Sequence, residues 1–275
     1  MAPSEPRTVL TTGANSGIGL ACAVELARRG FRSVGSVRSE AKAEVVRQAA
    51  AEAGVQVDTV LLDVTDAERG EEVIRDLDLF GLVNNAGYGV TGAIEDVEDD
   101  EARAVLETMV IAPMRLARAA LPAMRERGDG RIVNISSIYG RATTPLTGWY
   151  QGSKHALEAL SDALRIEVAS SGVKVVLVEP GGFRTGIWEE LERDVEKRSG
   201  SRYGSAYRRA MSLTRLSAPV MGDPATVARV VAGAVAGRAP RARYLVGYDA
   251  QAVALWDRFT PTLVKDLATR VGLGL

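Results

Sequence analysis

Short β-branched or apolar runs alternate along this chain with longer stretches of helical period, and no other feature of the sequence restricts the fold as much. The runs are Thr8–Thr12, Ser33–Val37, Val55–Leu62, Leu79–Asn84, Arg131–Ile135, Val173–Glu179 and Arg243–Val246. Most are too continuously apolar for a sheet with one wet face, which is how parallel strands buried on both sides read. Between them lie helical stretches at Ile18–Arg29, Ala41–Ala53, Asp66–Leu77, Asp99–Arg127, Gln151–Ser171 and Pro224–Ala236, with a weaker one at about Gln251–Arg270. The alternation predicts an α/β fold, a doubly wound parallel sheet of about seven strands with helices on both faces.

The sequence has no internal repeat, low-complexity tract or dividing linker, so 1–275 is read as a single domain. The regular pattern breaks at Phe183–Pro219, which carries Trp188, a charge cluster at Glu189–Arg198 and the Gly/Ser-rich stretch Ser199–Ser205. A long excursion after a strand's carboxyl end falls on the ligand-binding edge of such sheets, which makes 183–219 a candidate lid. The plainer alternative is a solvated surface helix with a loose loop.

With 46% hydrophobic and 25% charged residues, the composition is that of a soluble globular protein rather than a disordered or membrane-spanning one. The 34 basic and 35 acidic side chains nearly cancel, so no general field draws the chain to nucleic acid or an anionic membrane, although a local basic site remains compatible. Cys22 is the only cysteine, which excludes an internal disulfide and a thiolate metal cluster. Met1–Pro6 holds two prolines and an acid where a signal peptide needs a basic start and an apolar run, and no stretch has the length of a membrane span. The expectation is a cytoplasmic protein without a metal: His155, the only histidine, has no partner cluster and is read as packing or surface.

The first strand runs straight into Thr12-Gly13-Ala14-Asn15-Ser16-Gly17-Ile18-Gly19, and a helix opens at once. Glycines here allow a tight turn, close approach of backbone to a pyrophosphate, and close packing of helix on strand. The anion then sits at the positive end of a helix with free amides. This segment resembles the glycine motif of the short-chain dehydrogenase/reductase family. Three further motifs of that family follow in order: Asn84-Asn85-Ala86-Gly87, then Ser137 with Tyr150-Gln151-Gly152-Ser153-Lys154, then Pro180-Gly181 followed by Thr185. The resemblance implies a Rossmann-type oxidoreductase, with contacts to the dinucleotide from Thr12, Gly13, Asn15, Ser16, Gly17, Ile18 and Gly19 and from Asn85, Ala86, Gly87, Pro180, Gly181 and Thr185. Asp63 matches the family's contact to the adenine, or alternatively shapes the turn before Asp66, a candidate helix cap.

At the end of the second strand of such folds an acid reads the ribose 2′-hydroxyl, whereas an arginine accommodates a 2′-phosphate. The chain has Val37 at the acid's place, followed by Arg38 and Ser39, which favours NADP(H) over NAD(H).

Tyr150 and Lys154 are four apart at the start of a predicted helix and share one face. A phenol with its ordinary pKa of about 10 is ionised in only about one molecule in a thousand at pH 7, and a neighbouring ammonium favours the phenolate. Tyr150 is therefore the candidate proton donor or acceptor for a ketone, aldehyde or secondary alcohol. By resemblance, Ser137 holds the reacting oxygen, with Ser136 as its rival, and Lys154 also binds the nicotinamide ribose. The chain departs from the family at Met109-Val110-Ile111-Ala112, where relatives carry an asparagine that helps hold a relay water. Pro113 leaves the Met109 carbonyl without its usual helical partner, so that carbonyl is a candidate substitute; the alternative is a kink with a packed methionine.

Tyr88, Tyr139, Trp149, Phe183, Trp188 and Tyr203 are candidate linings for a sizeable apolar substrate, or core residues. The stretch after Thr185 somewhat resembles hydroxysteroid and retinol dehydrogenases. The family resemblance also implies a homodimer or homotetramer built on Asp99–Arg127 and Gln151–Ser171. Two other readings compete: a catalytically weak NADP-binding regulator, which Met109 motivates, and an interaction protein using those two helices.

Overall fold

The structure, a computed structural model, describes residues 6–184, 187–217 and 221–275, and only the backbone of 187–191 and 217. Its strands are β1 (Thr8–Thr11), β2 (Arg32–Val37), β3 (Asp58–Leu61), β4 (Gly81–Asn84), β5 (Gly130–Ile135), β6 (Val173–Pro180) and β7 (Arg243–Val246). They form one seven-stranded sheet in the order β3-β2-β1-β4-β5-β6-β7, with every adjacent pair parallel. The expected doubly wound α/β architecture is therefore present.

Successive strand residues point to opposite faces, and both faces are covered. Leu10, Leu82, Ile132 and Val175 pack under α3 (Ala67–Leu77) and α5 (Ala112–Arg127), against Ile74, Leu116 and Ala120. Their neighbours Val9, Val83, Val133 and Val176 pack under α1 (Gly17–Arg28) and α9 (Pro224–Ala236), against Leu26, Val227 and Val231. Two-sided burial explains why the strands read as unbroken apolar runs. Cys22 belongs to the second layer, and burial pushes its thiol well above the ordinary range. Helix α2 (Glu40–Glu52) starts at Ser39, whose hydroxyl accepts the Lys42 N–H, and α3 starts at Asp66, whose carboxylate accepts the Arg69 N–H. Asp66 thus caps its helix as expected.

Three helical expectations need correction. The stretch Asp99–Arg127 is not one regular helix: α4 (Asp99–Leu106) and α5 are joined by a π-turn over Glu107–Ile111, where the Ala112 N–H reaches back to the Glu107 carbonyl. Pro113, with no N–H to give, follows directly. Helix α6 (Gly148–Glu167) opens three residues earlier than expected, which places Tyr150 in its first turn. The last stretch is two helices, α10 (Tyr248–Phe259) and α11 (Thr262–Leu273), separated at Pro261.

The excursion after β6 folds into α7 (Ile187–Lys197) and α8 (Gly204–Ser217) rather than a loose loop. It is fastened to the 91–101 segment. Asp194 accepts the Thr91 N–H at 2.7 Å, and Arg198 and Lys197 share the two oxygens of Glu101 at 2.6 and 2.8 Å. The buried Tyr207 hydroxyl accepts the Ala93 N–H and donates to Asp96. Burial alone would raise the Glu101 carboxyl; Lys197 and Arg198 overcome it and hold the group below its usual range. Removing one partner of a buried pair strands the other's charge. Arg198→Met leaves Glu101 with the exposed Lys197 alone and is therefore expected to lower unfolding free energy by about 1–2 kcal/mol, read from urea denaturation at pH 7.

Candidate active site

The strand order reverses between β1 and β4, and ligands of open α/β sheets bind at the carboxyl edge beside such a reversal. Register places Thr11 beside Gly35 and Val83, and Ile135 beside Val178. The segments that leave these strands, 12–19, 38–39, 85–87, 136–137 and 180–182, therefore emerge along one edge.

Thr12 holds two of these loops together. Its Oγ1 accepts the N–H groups of Asn85 and Ala86, both at 3.0 Å, and Asn85 Nδ2 donates back to the carbonyls of Thr12 and Gly13. Thr12 and Asn85 thus spend their polar atoms shaping the cradle. Gly13 and Gly17 have φ of +65° and +52°, in the left-handed region that favours glycine. A Cβ on Gly19 would lie 2.3 Å from the Gly13 carbonyl oxygen, so α1 can approach the loop only without one. Ser16 precedes α1 in extended backbone and makes no side-chain cap bond, which leaves the first-turn amides of Gly17, Ile18 and Gly19 facing outward from the helix. A turn with this shape fits a diphosphate.

At the end of β2, Val37 is buried and Arg38 and Ser39 are exposed. Asp63 does shape the turn after β3: its Oδ1 accepts the Thr65 N–H and hydroxyl at 3.0 and 2.8 Å. Those bonds, with help from the Arg38 charge, hold its carboxyl below the usual range.

Helix α6 carries Tyr150 and Lys154. Its register is fixed by a buried ladder in which Asn84 Nδ2 donates to Asn134 Oδ1 at 2.8 Å and Asn134 Nδ2 donates to Ser161 Oγ at 2.7 Å. Lys154 lies on the same face as Ser161, two turns away. Lys154 is 6% exposed, and its ammonium donates to the Ile135 carbonyl at 2.9 Å and sits 5.8 Å from the centre of the Tyr150 ring. Burial pulls its pKa down to about 8, against the pull of Glu158 one turn further on. Tyr139 meets the Tyr150 ring edge-on, with centroids 6.5 Å apart.

Ser137 follows β5 and caps the short turn Ile138–Gly140, accepting the Tyr139 N–H at 3.2 Å. A Cβ on Gly140 would come within 2.7 Å of Ser136 Oγ and 2.9 Å of Glu158 Cγ, so Ser136 abuts Gly140 on the Glu158 side. Ser137 and Ser136 thus face different neighbours.

Sequence reasoning missed the charged group beneath this turn. Glu179, wholly buried, takes both arms of Arg141 at 2.6 and 2.9 Å, while Arg243 reaches Glu158, Asp162 and Glu179. Burial and the Glu179 charge push the Glu158 carboxyl up. The one available signal was Glu158 itself, an acid one turn from Lys154 on its buried face.

Met109 is a packed methionine. It is buried among Val90, Val105, Trp149 and Tyr150, and a Cβ on Gly87 would meet its sulfur at 3.0 Å. Of the six aromatic candidates, Tyr88 and Trp149 join this cluster and Tyr139 lies beside it. Tyr203 packs with Ala93, Leu146 and Tyr207. Phe183 belongs to the core with Val227 and Val246, not to the cleft, because Gly222 lets its ring lie flat against the chain. Thr185 and the Trp188 side chain lie outside the described residues. His155 Nδ1 lies 2.9 Å from the Gln151 carbonyl. Among the described residues, no three His, Cys, Asp or Glu side chains gather as metal ligands would, and no helix is long and apolar enough to cross a membrane.

The profile of the short chain dehydrogenase family matches residues 7–196, which span β1 to α7. The chain belongs to the short-chain dehydrogenase family. It is 36% identical over 233 residues to an uncharacterized oxidoreductase, YusZ, of Bacillus subtilis (strain 168), covering 82% of this chain and 83% of that one. It is 33% identical to retinol dehydrogenase 7 of Rattus norvegicus over 95% of this chain and 87% of that one. Among solved structures, a short-chain dehydrogenase from Streptomyces avermitilis superposes with a TM-score of 0.79 at 32% identity, covering 100% and 98% of the two chains. A variant of actinorhodin polyketide ketoreductase solved with NADPH gives 0.75 at 30% identity, covering 88% and 96%. As a short-chain dehydrogenase, the chain is an oxidoreductase of a nicotinamide-dependent family, and the Gly13–Gly19 cradle fits the diphosphate of such a cofactor.

The buried lysine has a measurable signature. Its folded pKa of about 8 lies below the ordinary 10.5, so between these values the unfolded chain binds more protons and stability rises with pH. Below pH 8 the lysine is charged in both states and this slope vanishes. Relative to Lys154→Met, the native chain is expected to gain about 3 kcal/mol across that window in urea denaturation. Parallel curves for the two proteins would place Lys154 in water.

Proposed function

We propose that the chain is an NADP(H)-dependent oxidoreductase that interconverts a ketone or aldehyde and an alcohol, with Tyr150 exchanging the proton. The observation that carries this reading is the buried Lys154 ammonium 5.8 Å from the Tyr150 ring, at the edge where the glycine cradle also opens. A bound nicotinamide supplies or accepts the hydride. The protein's own groups manage the proton. Tyr150 gives its hydroxyl proton to the carbonyl oxygen in reduction and takes it back in oxidation. Lys154 stabilises the phenolate; one of its three N–H donors goes to Ile135 and the others are available to a ribose. Ser137 Oγ donates to the reacting oxygen and keeps it near Tyr150.

Gly13, Asn15, Ser16, Gly17, Ile18 and Gly19 would hold the diphosphate, with Thr12 and Asn85 keeping the loop in shape. Ala86, Gly87, Pro180, Gly181 and Thr185 would line the rest of the cofactor cleft. Arg38 and Ser39 would take a 2′-phosphate, and Asp63 the adenine. Retinol dehydrogenases among the relatives and the half-buried Tyr88 and Trp149 support a sizeable apolar substrate. The segment 183–219 would be its lid in a single domain, a reading supported by the contacts that tie residues 194–207 to 91–101. Exposed Ile111, Leu160 and Ile166 on α5's approach and α6 support self-association.

Tyr150→Phe is expected to bind NADPH as the native chain does, by fluorescence titration, while carbonyl-dependent NADPH oxidation falls at least about a hundredfold, the scale of general acid–base catalysis. Native turnover in that variant would remove Tyr150 from the chemistry. NADPH is expected to bind at least about tenfold more tightly than NADH, a gap of about 1.4 kcal/mol that Arg38→Ser largely erases in the same titration. Equal affinities in the native chain would refute the preference for NADP(H).

A further inference from the structure

The two C-terminal helices turn their apolar sides outward. On α11, Leu263, Val264, Leu267 and Val271 fall on one side of the helix, with Leu263 80% and Val271 71% exposed. The opposite side, Lys265, Thr269 and Leu273, is the half-buried one. On α10, Tyr248, Leu255, Trp256 and Phe259 share an outward stripe, whereas Ala250 and the Lys265-paired Asp257 face the protein. Helix α8 packs on α11 and exposes Leu213, which lines a groove with Gly272, and Leu216. Isolated exposed apolar residues are ordinary, but ten large ones grouped on three helices mark a binding surface.

The charge around that face identifies its occupant. Helices α8, α10 and α11 hold six Lys and Arg against three Asp and Glu, although the whole chain has a net charge of −1. Arg208, Arg209, Arg258 and Arg270 are exposed at the fringe, and among the described residues none has a carboxylate partner. Between α8 and α11 lies a groove of about 470 Å³ whose polar lining is Arg208, Arg209, Ser205 and Ser212, donors suited to a phosphodiester. A second copy docked on the same face would add further unpaired arginines to this net positive surface. An anionic surface meets them favourably.

We propose that α8, α10 and α11 form a peripheral docking face for an anionic phospholipid bilayer, with the apolar stripe seated among the upper acyl carbons and the arginines at the phosphates. Each of α10 and α11 has 12 residues, a length of roughly 18 Å, which suits a helix lying in the interface and is too short to cross it. Trp256, Phe259 and Tyr248 are the ring types that favour this boundary. The face begins beside the cofactor edge, where Asp249 at the start of α10 accepts the Gly182 N–H.

The test is co-sedimentation of the full chain with vesicles of phosphatidylcholine alone or mixed with phosphatidylglycerol. The expected result is binding at least tenfold tighter to the mixed vesicles, weakened by salt, with Trp256 fluorescence quenched by brominated acyl chains and that component missing in Trp256→Phe. Leu263→Glu with Leu267→Glu should cut binding at least tenfold, and Arg208→Ser with Arg209→Ser should cut it severalfold, without a change in melting temperature or in NADPH binding. Three results would overturn the proposal: no association with mixed vesicles, equal association with neutral ones, or binding untouched by the two glutamates. Self-association in light scattering that the two glutamates abolish, with no vesicle binding, would assign the face to a second copy instead.

Discussion

Burial of the sheet on both sides governs everything else in this molecule. Val9 and Leu10, or Val133 and Ile132, point to opposite faces and both find helices, so the middle of the sheet has no place for polar chemistry. Polar chemistry is confined to the edge where parallel strands end together and their loops emerge. The Thr12 hydroxyl converts that edge into a site by tying the loop after β1 to the loop after β4 across the strand-order reversal. The glycines then let α1 close in until its first amides are presented to the cleft.

The same confinement makes the charge of Lys154 expensive and useful. A buried ammonium loses its water, and here it gains only the Ile135 carbonyl and the nearby Glu158 in return. Glu158 is itself held beside Glu179 by Arg141 and Arg243, so the lysine rests on a charged layer that links α6, β6 and β7. A cation kept this way stays close to Tyr150 without being neutralised by a direct partner.

The strands and most helices were legible because their apolar periods are set by local burial. The glycine loop and the Tyr150–Lys154 pair were legible because each has a chemical reason for its spacing. What escaped the sequence depends on distant residues. Arg198 reads as one charge in a solvated cluster until Glu101, 97 positions earlier, is seen to accept from it. The Gly/Ser-rich stretch Ser199–Ser205 reads as a loose loop, yet Ser201 and Tyr207 both donate to Asp96. Phe183 looks like a pocket residue because nothing local announces that Gly222 will make room for its ring. Pro113 did signal an irregularity, but a proline alone does not distinguish a kink from an inserted residue.

That inserted residue at Glu107–Ile111 acts as a phase shifter in one covalent rod. An extra residue turns everything beyond it by about 100°, so the two ends of the rod face different bodies. Before the turn, α4 offers Glu101 to Arg198 and Val105 to the Val90 cluster; after it, α5 sets Leu116 and Ala120 against the sheet. Met109 rides on the turn itself, with its sulfur against Gly87 and its side chain packed among Trp149 and Tyr150. The mechanical path from α7 through Glu101 to Tyr150 therefore runs along a helix already out of step with itself, and Met109, the residue at that discontinuity, is the one packed against the tyrosine.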